Sequence, residues 1–566
     1  MRSFFKMVGA GLLALVIFSI FVFFFLMAII GNMASKDVPA VAANSVLILD
    51  LKQSFDELEK DNPALLLQGE ESVSPSLYSA IRLIHKAAED PRIKGILIQA
   101  DGNGNSSVAS EEIRNAISSF RSSGKFVIAF ASMLSQSAYD VATAADKVYL
   151  HPKGFMEFTG YSVGYAFFKT TLDKLKIEPQ IFYAGKFKSA TEPFRSDRMS
   201  PENKLQTSVW MNDLYDEFLI RDADARDLDT ATLRKLAAEA AIQSPADALK
   251  YKLVDQLKYD DEVKDEIKEK LGLDKYDAIS FISFTNYFTV TGVQTCAGKA
   301  EQGTIGGENY RSMIRKARLD NSVKAIVVRI NSGGGSALAS ETMWRELALA
   351  KADKPVIVSF GDVAASGGYY MGVGADSIFA MSSTITGSIG VFAVLPNMEG
   401  FFKDKLGVSF DAVRTGPYAD MGAIYRPLND AEKNIMQTSV NLIYEDFKFR
   451  VAEGRKLDTA YVDSIAQGRV WTGKRALQIG LVDAIGGIER AIQSAATMAK
   501  LDHYRVVVYP EPENFLNRLF KKAEPLSFRE EMKKQVGEQE FAIYEQLIEI
   551  KQMTGNQARW PYVRIK

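Results

Sequence analysis

Residues 94–98 read Lys-Gly-Ile-Leu-Ile, and residues 324–328 read Lys-Ala-Ile-Val-Val. Each run is short, apolar and rich in β-branched side chains, which predicts a buried strand. The second run follows the first by 230 positions, and the same offset carries Val108-Ala-Ser-Glu onto Leu338-Ala-Ser-Glu. A spacing shared by separate motifs indicates that the chain contains one structural unit twice.

Strand and helix patterns alternate within each copy. The runs that begin at Lys125 and Lys354 predict further strands, and residues 111–122 and 341–350 have the periodicity of amphipathic helices. Alternation of this kind predicts an α/β fold with mostly parallel strands. We therefore expect two tandem α/β repeats, at residues 45–285 and 286–510, followed by a helical tail at residues 511–566.

An apolar segment lies near the N-terminus. Val8 to Ile30 carries no charge over 23 residues, and Arg2 and Lys6 precede it. A bilayer-spanning helix needs about 20 apolar residues, more than the core of a secretory signal, so residues 8–31 are predicted to be an uncleaved transmembrane anchor. Because both cations precede the helix, residues 1–7 are expected in the cytoplasm and the body of the chain on the periplasmic side.

The charge balance and the cysteine content exclude several classes of protein. Lys and Arg total 68 and Asp and Glu total 70, which gives a formal charge of -2. A nucleic-acid partner is therefore not expected, since no basic surface is offered. The single cysteine, Cys296, excludes an intramolecular disulfide, a thiolate metal cluster and a Cys-x-x-Cys redox pair. No metal or organic cofactor is predicted.

A serine among small residues follows a predicted strand in the second copy. The stretch Asp362-Val-Ala-Ala-Ser366-Gly-Gly-Tyr-Tyr comes after the apolar run 355–360 and before a short apolar helix. Ser366 is thereby predicted at a strand-to-helix turn, where small neighbours admit a substrate and helix N–H groups face a developing oxyanion.

A glycine run at residues 331–336, Asn-Ser-Gly-Gly-Gly-Ser, also ends a predicted strand. Its N–H groups are free of Cβ obstruction and are suited to bind an anion. A phosphate-binding loop and a plain tight turn are the alternatives. The run lacks the Lys-Ser/Thr ending of a P-loop and the glycine spacing of a dinucleotide fold.

A serine hydroxyl needs a base before it attacks a carbonyl, and histidine is the usual base. The chain has three histidines, His85, His151 and His503, and none stands in a glycine-rich motif. A structural role is the simpler interpretation of all three, which leaves lysine as the alternative base.

The stretch Gly185-Lys-Phe-Lys188-Ser-Ala-Thr-Glu-Pro-Phe194, together with the two motifs above, resembles signal peptide peptidase A, also called protease IV, in its long duplicated form. The resemblance implies Clp-peptidase or crotonase-like repeats and a membrane-tethered homo-oligomer, a tetramer. It implies Ser366 as nucleophile, Lys188 as general base, and the N–H groups of Gly334 and Gly367 as oxyanion donors. The implied substrates are signal peptides left in the bacterial inner membrane after preprotein processing.

The duplication offers a second argument for this pair. At the offset that aligns the copies, Ser366 falls on Gln136, and alignment of Gly185 with Gly416 sets Lys188 against Ala419. Each copy has lost the residue that the other retains. We therefore expect one split site, with the base from the first repeat and the nucleophile from the second.

Two other functions are compatible with parts of the pattern. A crotonase-like acyl-thioester enzyme also uses paired glycine N–H groups, but coenzyme A thioesters are cytoplasmic and the predicted anchor is of the export type. A non-catalytic membrane scaffold on a protease-like fold has no need to retain both Ser366 and Lys188. A membrane-bound serine endopeptidase is the function that the sequence favours.

Overall fold

The computed structural model describes residues 17–21, 41–61, 73–291, 306–509 and 555–559 of the 566-residue chain. Of the predicted anchor at residues 8–31, only residues 17–21 are described, and they are helical. Within the described ranges, no helix has the length and apolarity that crossing a bilayer requires. Cys296 lies outside these ranges.

The first unit is built on a six-stranded sheet in the order β8-β6-β5-β4-β1-β9, in which every paired strand is parallel to its neighbour. Its strands are β1 (Ser45–Asp50), β2 (Lys60–Asp61), β3 (Val73–Ser74), β4 (Ile93–Gln99), β5 (Phe126–Leu134), β6 (Lys147–Met156), β7 (Glu178–Ala184), β8 (Gln256–Leu257) and β9 (Phe281–Ser283). Its helices are α1 (Leu77–Glu89), α2 (Ser107–Arg121), α3 (Gln136–Ala142), α4 (Lys169–Leu175), α5 (Glu192–Arg195), α6 (Pro201–Arg226), α7 (Thr230–Ala238), α8 (Pro245–Lys250), α9 (Asp260–Leu271) and α10 (Phe284–Thr291).

The second unit is built on a sheet in the order β16-β14-β12-β13-β17, to which β10 is added beside β12. Its strands are β10 (Ile326–Ser332), β11 (Gly334–Ser336), β12 (Val356–Ala365), β13 (Ser377–Ala380), β14 (Ile385–Gly387), β15 (Val391–Asn397), β16 (Val470–Thr472) and β17 (Ala484–Ile485). Its helices are α11 (Gly307–Leu319), α12 (Ala337–Asp353), α13 (Gly367–Gly372), α14 (Asp430–Arg455), α15 (Thr459–Ile465), α16 (Gly473–Gln478) and α17 (Ile488–Met498).

The repeated sequence pattern corresponds to a repeated strand register. Ile128 of β5 lies opposite Lys147 of β6, and Ile357 of β12 lies opposite Ser377 of β13. These are equivalent positions of the two copies. The central strands are apolar on both faces because helices cover both sides of a parallel sheet. The predicted α/β fold with two related units is therefore confirmed.

A third sheet joins the two units. Strand β7 of the first unit pairs antiparallel with β15 of the second along the full length of both strands, from Glu178 opposite Asn397 to Ala184 opposite Val391. Phe182 and Ala184 are buried in the hydrophobic core of the second unit. The first unit thus contributes one strand to its neighbour, and the chain that follows this strand enters the second unit.

The expected boundary between the repeats, at residues 285 and 286, falls inside α10. This helix follows β9, which pairs with β1, and its Tyr287 and Phe288 are buried in the core of the first unit. The first unit therefore continues to the end of α10. Within the tail at residues 511–566, the structure describes only β18 (Gly555–Arg559), which is a strand and not a helix.

Arg329 of β10 forms an ion-pair network between the units. Its guanidinium lies 3.0 Å from Glu57 and 2.7 Å from Glu112, both from the first unit. The network is close to the glycine run, because Asn331, two residues after Arg329, donates to Glu57 and to Asp362 at 3.3 Å. Such pairs add little net stability, because desolvation of the charges offsets much of their attraction.

Asp222 of α6 predicts a pH-dependent stability. Its side chain is buried, one oxygen accepts from Thr143 at 2.9 Å, and the other has no hydrogen-bond partner among the described residues. Burial and then repulsion by Asp140 raise its pKa to about 8. A carboxyl whose pKa is higher in the folded state favours folding at low pH, and this contribution is lost as the pH rises from about 4 to about 8.

We therefore expect Asp222→Asn to raise the melting temperature more at about pH 8.5 than at about pH 5. The matched control is Asp224→Asn, since Asp224 is exposed on the same helix. Thermal unfolding at the two pH values measures the difference. An equal gain at both values, or a larger gain at the lower one, would contradict the assignment.

Candidate active site

Ser366 occupies the turn between β12 and α13, as the small-residue motif predicts. Its N–H donates to Gly387 O at 2.8 Å, and its carbonyl accepts the N–H of Tyr370 at 2.8 Å. The backbone is held at φ 53° and ψ -120°, a conformation that residues with a Cβ adopt rarely.

Gly368, the second residue after Ser366, must be glycine because it packs closely against the glycine run. A Cβ on Gly368 would stand 2.3 Å from Ser332 O, well inside contact distance. Only glycine therefore fits where α13 meets the end of β10. This contact explains part of the small-residue motif that surrounds Ser366 in the sequence.

Lys188 reaches the second unit on the loop that follows β7. Phe187 N donates to Gln467 O at 2.8 Å, and a Cβ on Gly468 would stand 2.7 Å from the Lys188 Cβ. From the other side, Gln206 of α6 donates to Phe187 O at 3.0 Å. The loop is held from both units, which fixes the direction in which the Lys188 side chain leaves the backbone.

The structure brings the amine of Lys188 to 2.8 Å from the hydroxyl of Ser366. The same amine lies 3.1 Å from both the carbonyl and the hydroxyl oxygen of Ser388, and Ser366 Oγ lies 3.4 Å from Gly390 O. Both partners are closed to solvent, since Lys188 is 1% and Ser366 0% exposed. The two residues come from different units, so the contact spans the duplication.

Burial determines the protonation of this amine. Desolvation lowers the pKa of Lys188 well below its ordinary value near 10.5, because an ammonium ion loses its hydration in a dry pocket. The contacts found around the amine are neutral oxygens, which do not compensate that loss as a carboxylate would. A neutral amine next to a serine hydroxyl is suited to accept its proton.

The two glycines predicted as oxyanion donors have different surroundings. Gly367 is the first residue of α13, so its N–H has no acceptor within the helix. The N–H of Gly334 donates to Ser332 Oγ at 3.2 Å, and Gly334 has a left-handed φ of 96°. A substrate carbonyl at this position would have to displace the Ser332 hydroxyl.

Ser388 and Gly468 are absent from the sequence-based prediction. Ser388 lies in Ile385-Thr-Gly-Ser-Ile-Gly390, a stretch that begins as strand β14 and is rich in small residues. That signal is available in the sequence, although nothing in it links the stretch to Lys188. The contact of Gly468 with Lys188 depends on a partner nearly three hundred residues away along the chain.

Two of the histidines, and the residue of the first copy that corresponds to Ser366, make contacts outside the Lys188–Ser366 pocket. His85 pairs with Glu489 at 2.9 Å, and His151 packs edge-on against Tyr259. Gln136, the counterpart of Ser366, accepts the N–H groups of Thr159 and Gly160 through its side chain. The first copy therefore fills the equivalent turn with an internal hydrogen-bonding residue.

Comparison with known proteins assigns the chain to a family. The profile of peptidase family S49 matches residues 119–274 and 348–502, one stretch in each unit. "Protease 4" of Salmonella typhi is 36% identical over 466 residues, covering 78% of this chain and 75% of the relative. The chain belongs to peptidase family S49. This S49 peptidase is a serine endopeptidase of the signal peptide peptidase A, or protease IV, type with a duplicated domain.

Two further relatives support the assignment. "Protease 4" of Haemophilus influenzae is 34% identical and covers 85% of this chain and 83% of its own. The "Serine protease SPPA, chloroplastic" of Arabidopsis thaliana is 34% identical and covers 74% of this chain and 64% of its own. A solved structure of a ClpP1 point mutant from Listeria monocytogenes matches 33% of the S49 peptidase and 86% of its own chain at 14% identity, but the TM-score of 0.23 is too low to decide the fold.

The packing of Gly468 against Lys188 predicts that Gly468→Ala disables the site. The added Cβ would stand 2.7 Å from the Lys188 Cβ and backbone nitrogen and would push the loop away. We expect kcat for peptide hydrolysis to fall by about tenfold or more, as for other misplacements of a reacting group.

Gly480→Ala is the matched control for this substitution. Gly480 has a similar left-handed φ, 78° against 73°, but its nearest neighbour would lie 3.5 Å from the new Cβ. It carries the backbone strain without the clash and should retain most of the activity. Equal losses in both variants would mean that strain, and not displacement of Lys188, lowers the rate.

Proposed function

We propose that this S49 peptidase cleaves peptides with a Ser/Lys dyad in which Ser366 is the nucleophile and Lys188 the general base. The observation that supports this most directly is the 2.8 Å contact between the two side chains inside a solvent-excluded pocket. Ser388 adds two further contacts to the amine, each of 3.1 Å, through its carbonyl and hydroxyl oxygens.

In the proposed reaction, neutral Lys188 takes the proton of the Ser366 hydroxyl as Oγ attacks the peptide carbonyl. The resulting oxyanion is stabilised by the N–H groups of Gly367 and, once Ser332 is displaced, of Gly334. Lys188 returns the proton to the leaving amine, and the carbonyl–nitrogen bond breaks to give an acyl-enzyme. Water, deprotonated by the same amine, then hydrolyses the ester and regenerates Ser366.

The proposed substrates are signal peptides that remain after preprotein processing. The relatives named "Protease 4" and the resemblance to signal peptide peptidase A support this choice. We further propose a single transmembrane anchor at residues 8–31, a periplasmic body on the bacterial inner membrane, and a homo-oligomer, a tetramer by the same resemblance. We also propose that the repeats, at residues 45–285 and 286–510, have a Clp-peptidase or crotonase-like fold. The first repeat extends to the end of α10.

The dyad predicts a characteristic pattern of mutant rates. Ser366→Ala and Lys188→Ala should each lower kcat by about 10⁴-fold or more, and the double variant should be scarcely slower than either, because members of one catalytic unit are not additive. Lys186→Ala is the control, since Lys186 is exposed two residues from Lys188. Rates with an internally quenched peptide, and labelling of Ser366 by a fluorophosphonate, measure these effects.

Three outcomes would contradict the dyad. Near-normal turnover in Lys188→Ala would remove lysine as the base, and loss of activity on replacing any one of His85, His151 or His503 would indicate a conventional triad. Fluorophosphonate labelling that persists in Ser366→Ala would place the nucleophile elsewhere.

The depressed pKa of Lys188 predicts the pH dependence of activity. The base works only when deprotonated, so kcat/KM should rise with pH on a single ionisation and then level off. Because burial lowers this pKa well below 10.5, the midpoint should lie well below that of a solvated lysine. Stopped assays across the pH range measure it, and a midpoint at about 10 or higher would show that the amine is hydrated.

A further inference from the structure

One buried carboxamide contacts both residues that flank Lys188. Gln206 of α6 is 2% exposed, and its amide nitrogen donates to the carbonyl oxygen of Phe187 at 3.0 Å and to the hydroxyl of Ser189 at 3.1 Å. The same nitrogen lies 3.2 Å from Asn203 Oδ1, so three acceptors share its two hydrogens. Both neighbours of Lys188 are therefore bonded to one side chain.

The other end of this carboxamide contacts the second unit. Gln206 Oε1 accepts the N–H of Val470 at 3.4 Å, and Val470 lies opposite Gly387 where β16 pairs with β14. Gly387 precedes Ser388, whose two oxygens lie 3.1 Å from the Lys188 amine. The carboxamide thus links the loop that carries Lys188 to the strand pair that leads to Ser388.

The face of α6 that carries Gln206 is seated on the same strands. Trp210 and Leu214 follow Gln206 at intervals of four residues, so the three side chains lie on one face of the helix. Trp210 and Leu214 are buried in one cluster with Ile385 of β14 and Val470 of β16. Apolar packing holds α6 against the second unit, and Gln206 extends that contact to the loop that carries Lys188.

Charged groups lie near this loop, but within the described ranges none of them contacts the Lys188 amine. Lys186 and Arg469 lie over the ring of Phe187, at 5.3 Å and 5.1 Å from its centroid. The carboxylate of Glu192 accepts hydrogen bonds from a hydroxyl and an amide at the start of α6. Desolvation lowers the pKa of Lys188, so this pKa responds to the admission of water.

We propose that Gln206 is a positioning residue for the general base. By holding both neighbours of Lys188 against the second unit, it keeps the loop closed over the amine and keeps water away from it. The proposal rests on the proposed role of Lys188 as base, and it adds a residue that acts through the loop and not on the reacting atoms. An amide suits this task because it bonds the loop without bringing a charge that would favour the ammonium form.

Gln206→Met in the full-length chain tests the proposal, since methionine keeps the length of the side chain and removes its hydrogen bonds. A looser loop hydrates the amine, so the midpoint of the profile of kcat/KM against pH should rise by about one pH unit or more. Below the midpoint kcat/KM should fall by about tenfold or more, mostly through kcat, and above both midpoints it should return to within about twofold of the wild type.

Thr207→Val is the matched control. Thr207 is the next residue of α6, is 5% exposed, and its hydroxyl bonds to Tyr165 at 3.2 Å and Asn203 at 3.4 Å, neither of which belongs to the loop that carries Lys188. Both variants should unfold at a lower temperature, whereas only Gln206→Met should move the midpoint. A fall in kcat/KM by the same factor at every pH would mean that Gln206 is merely structural and would overturn the proposal.

Ser189→Ala is a second test that disturbs the packing less. It removes one of the two contacts between Gln206 and the neighbours of Lys188, so the midpoint should rise by a smaller amount and kcat/KM at neutral pH should fall about two- to threefold. If Gln206→Met does not fold, an unchanged midpoint in Ser189→Ala decides against the proposal.

Carbamylation by cyanate provides a readout that does not require turnover. Cyanate modifies the neutral amine, so the pH dependence of labelling at Lys188, relative to the exposed Lys186, gives the Lys188 midpoint by mass spectrometry. The measurement compares Ser366→Ala with Ser366→Ala/Gln206→Met. The double variant should show the higher midpoint, as in the kinetic profile.

The outcomes separate the two proposals. If Lys188→Ala retains turnover while Gln206→Met raises the carbamylation midpoint, the dyad fails and the control of Lys188 by Gln206 stands. If activity depends on Lys188 and Ser366, but neither the kinetic nor the carbamylation midpoint moves in Gln206→Met, positioning by Gln206 is wrong and the dyad stands.

Discussion

A buried amine whose partners among the described residues are all neutral oxygens is the constraint on which the site depends. Lys188 is 1% exposed, and the contacts found around its amine are oxygens of two serines. Holding that amine neutral requires the exclusion of water from every side. Neither unit does this alone, since the lysine arrives on a loop of the first unit and the surrounding pocket belongs to the second.

The glycines of the second unit follow from the same requirement for close approach. Gly368 lets α13 contact the glycine run, because a Cβ there would stand 2.3 Å from Ser332 O. Gly468 lets the Lys188 loop lie against the turn before β16, because a Cβ there would stand 2.7 Å from the Lys188 Cβ. Ser366 itself has a positive φ, a backbone conformation that glycine adopts without strain and serine does not. The surrounding structure sustains that strain at the one turn where the hydroxyl must point into the pocket.

Local patterns account for the parts of the molecule that the sequence predicts. The strands around Ile96 and Val327 and the position of Ser366 are encoded in a few neighbouring residues, and the offset between the copies links them. The role of Lys188 is predicted by the resemblance of its surrounding motif to a peptidase family, and not by the periodicity of any helix or strand. The pairing of β7 with β15 cannot be predicted from the neighbouring sequence, because the two strands are more than two hundred residues apart.

Other features escaped prediction for equally physical reasons. The first unit extends through α10 because Tyr287 and Phe288 pack into its core, a tertiary fact that composition does not reveal. Strand β18 has neither alternation nor β-branched residues, so its conformation is set by the two strands that receive it. Ser388 lies in a small-residue stretch whose importance depends on a lysine from the other unit.

The pairing of β7 with a strand of the second unit has a consequence for the synthesis of the protein. Lys188 and Ser366 are separated by 178 positions along the chain, and the pocket around them also needs Gly468, farther on. A ribosome releases Lys188 long before Ser366 and Gly468, so the growing polypeptide has no assembled contact between Lys188 and Ser366. A fragment, or a chain whose halves have come apart, is in the same condition. Under the proposed dyad, proteolytic capacity is thereby tied to completed folding of both units.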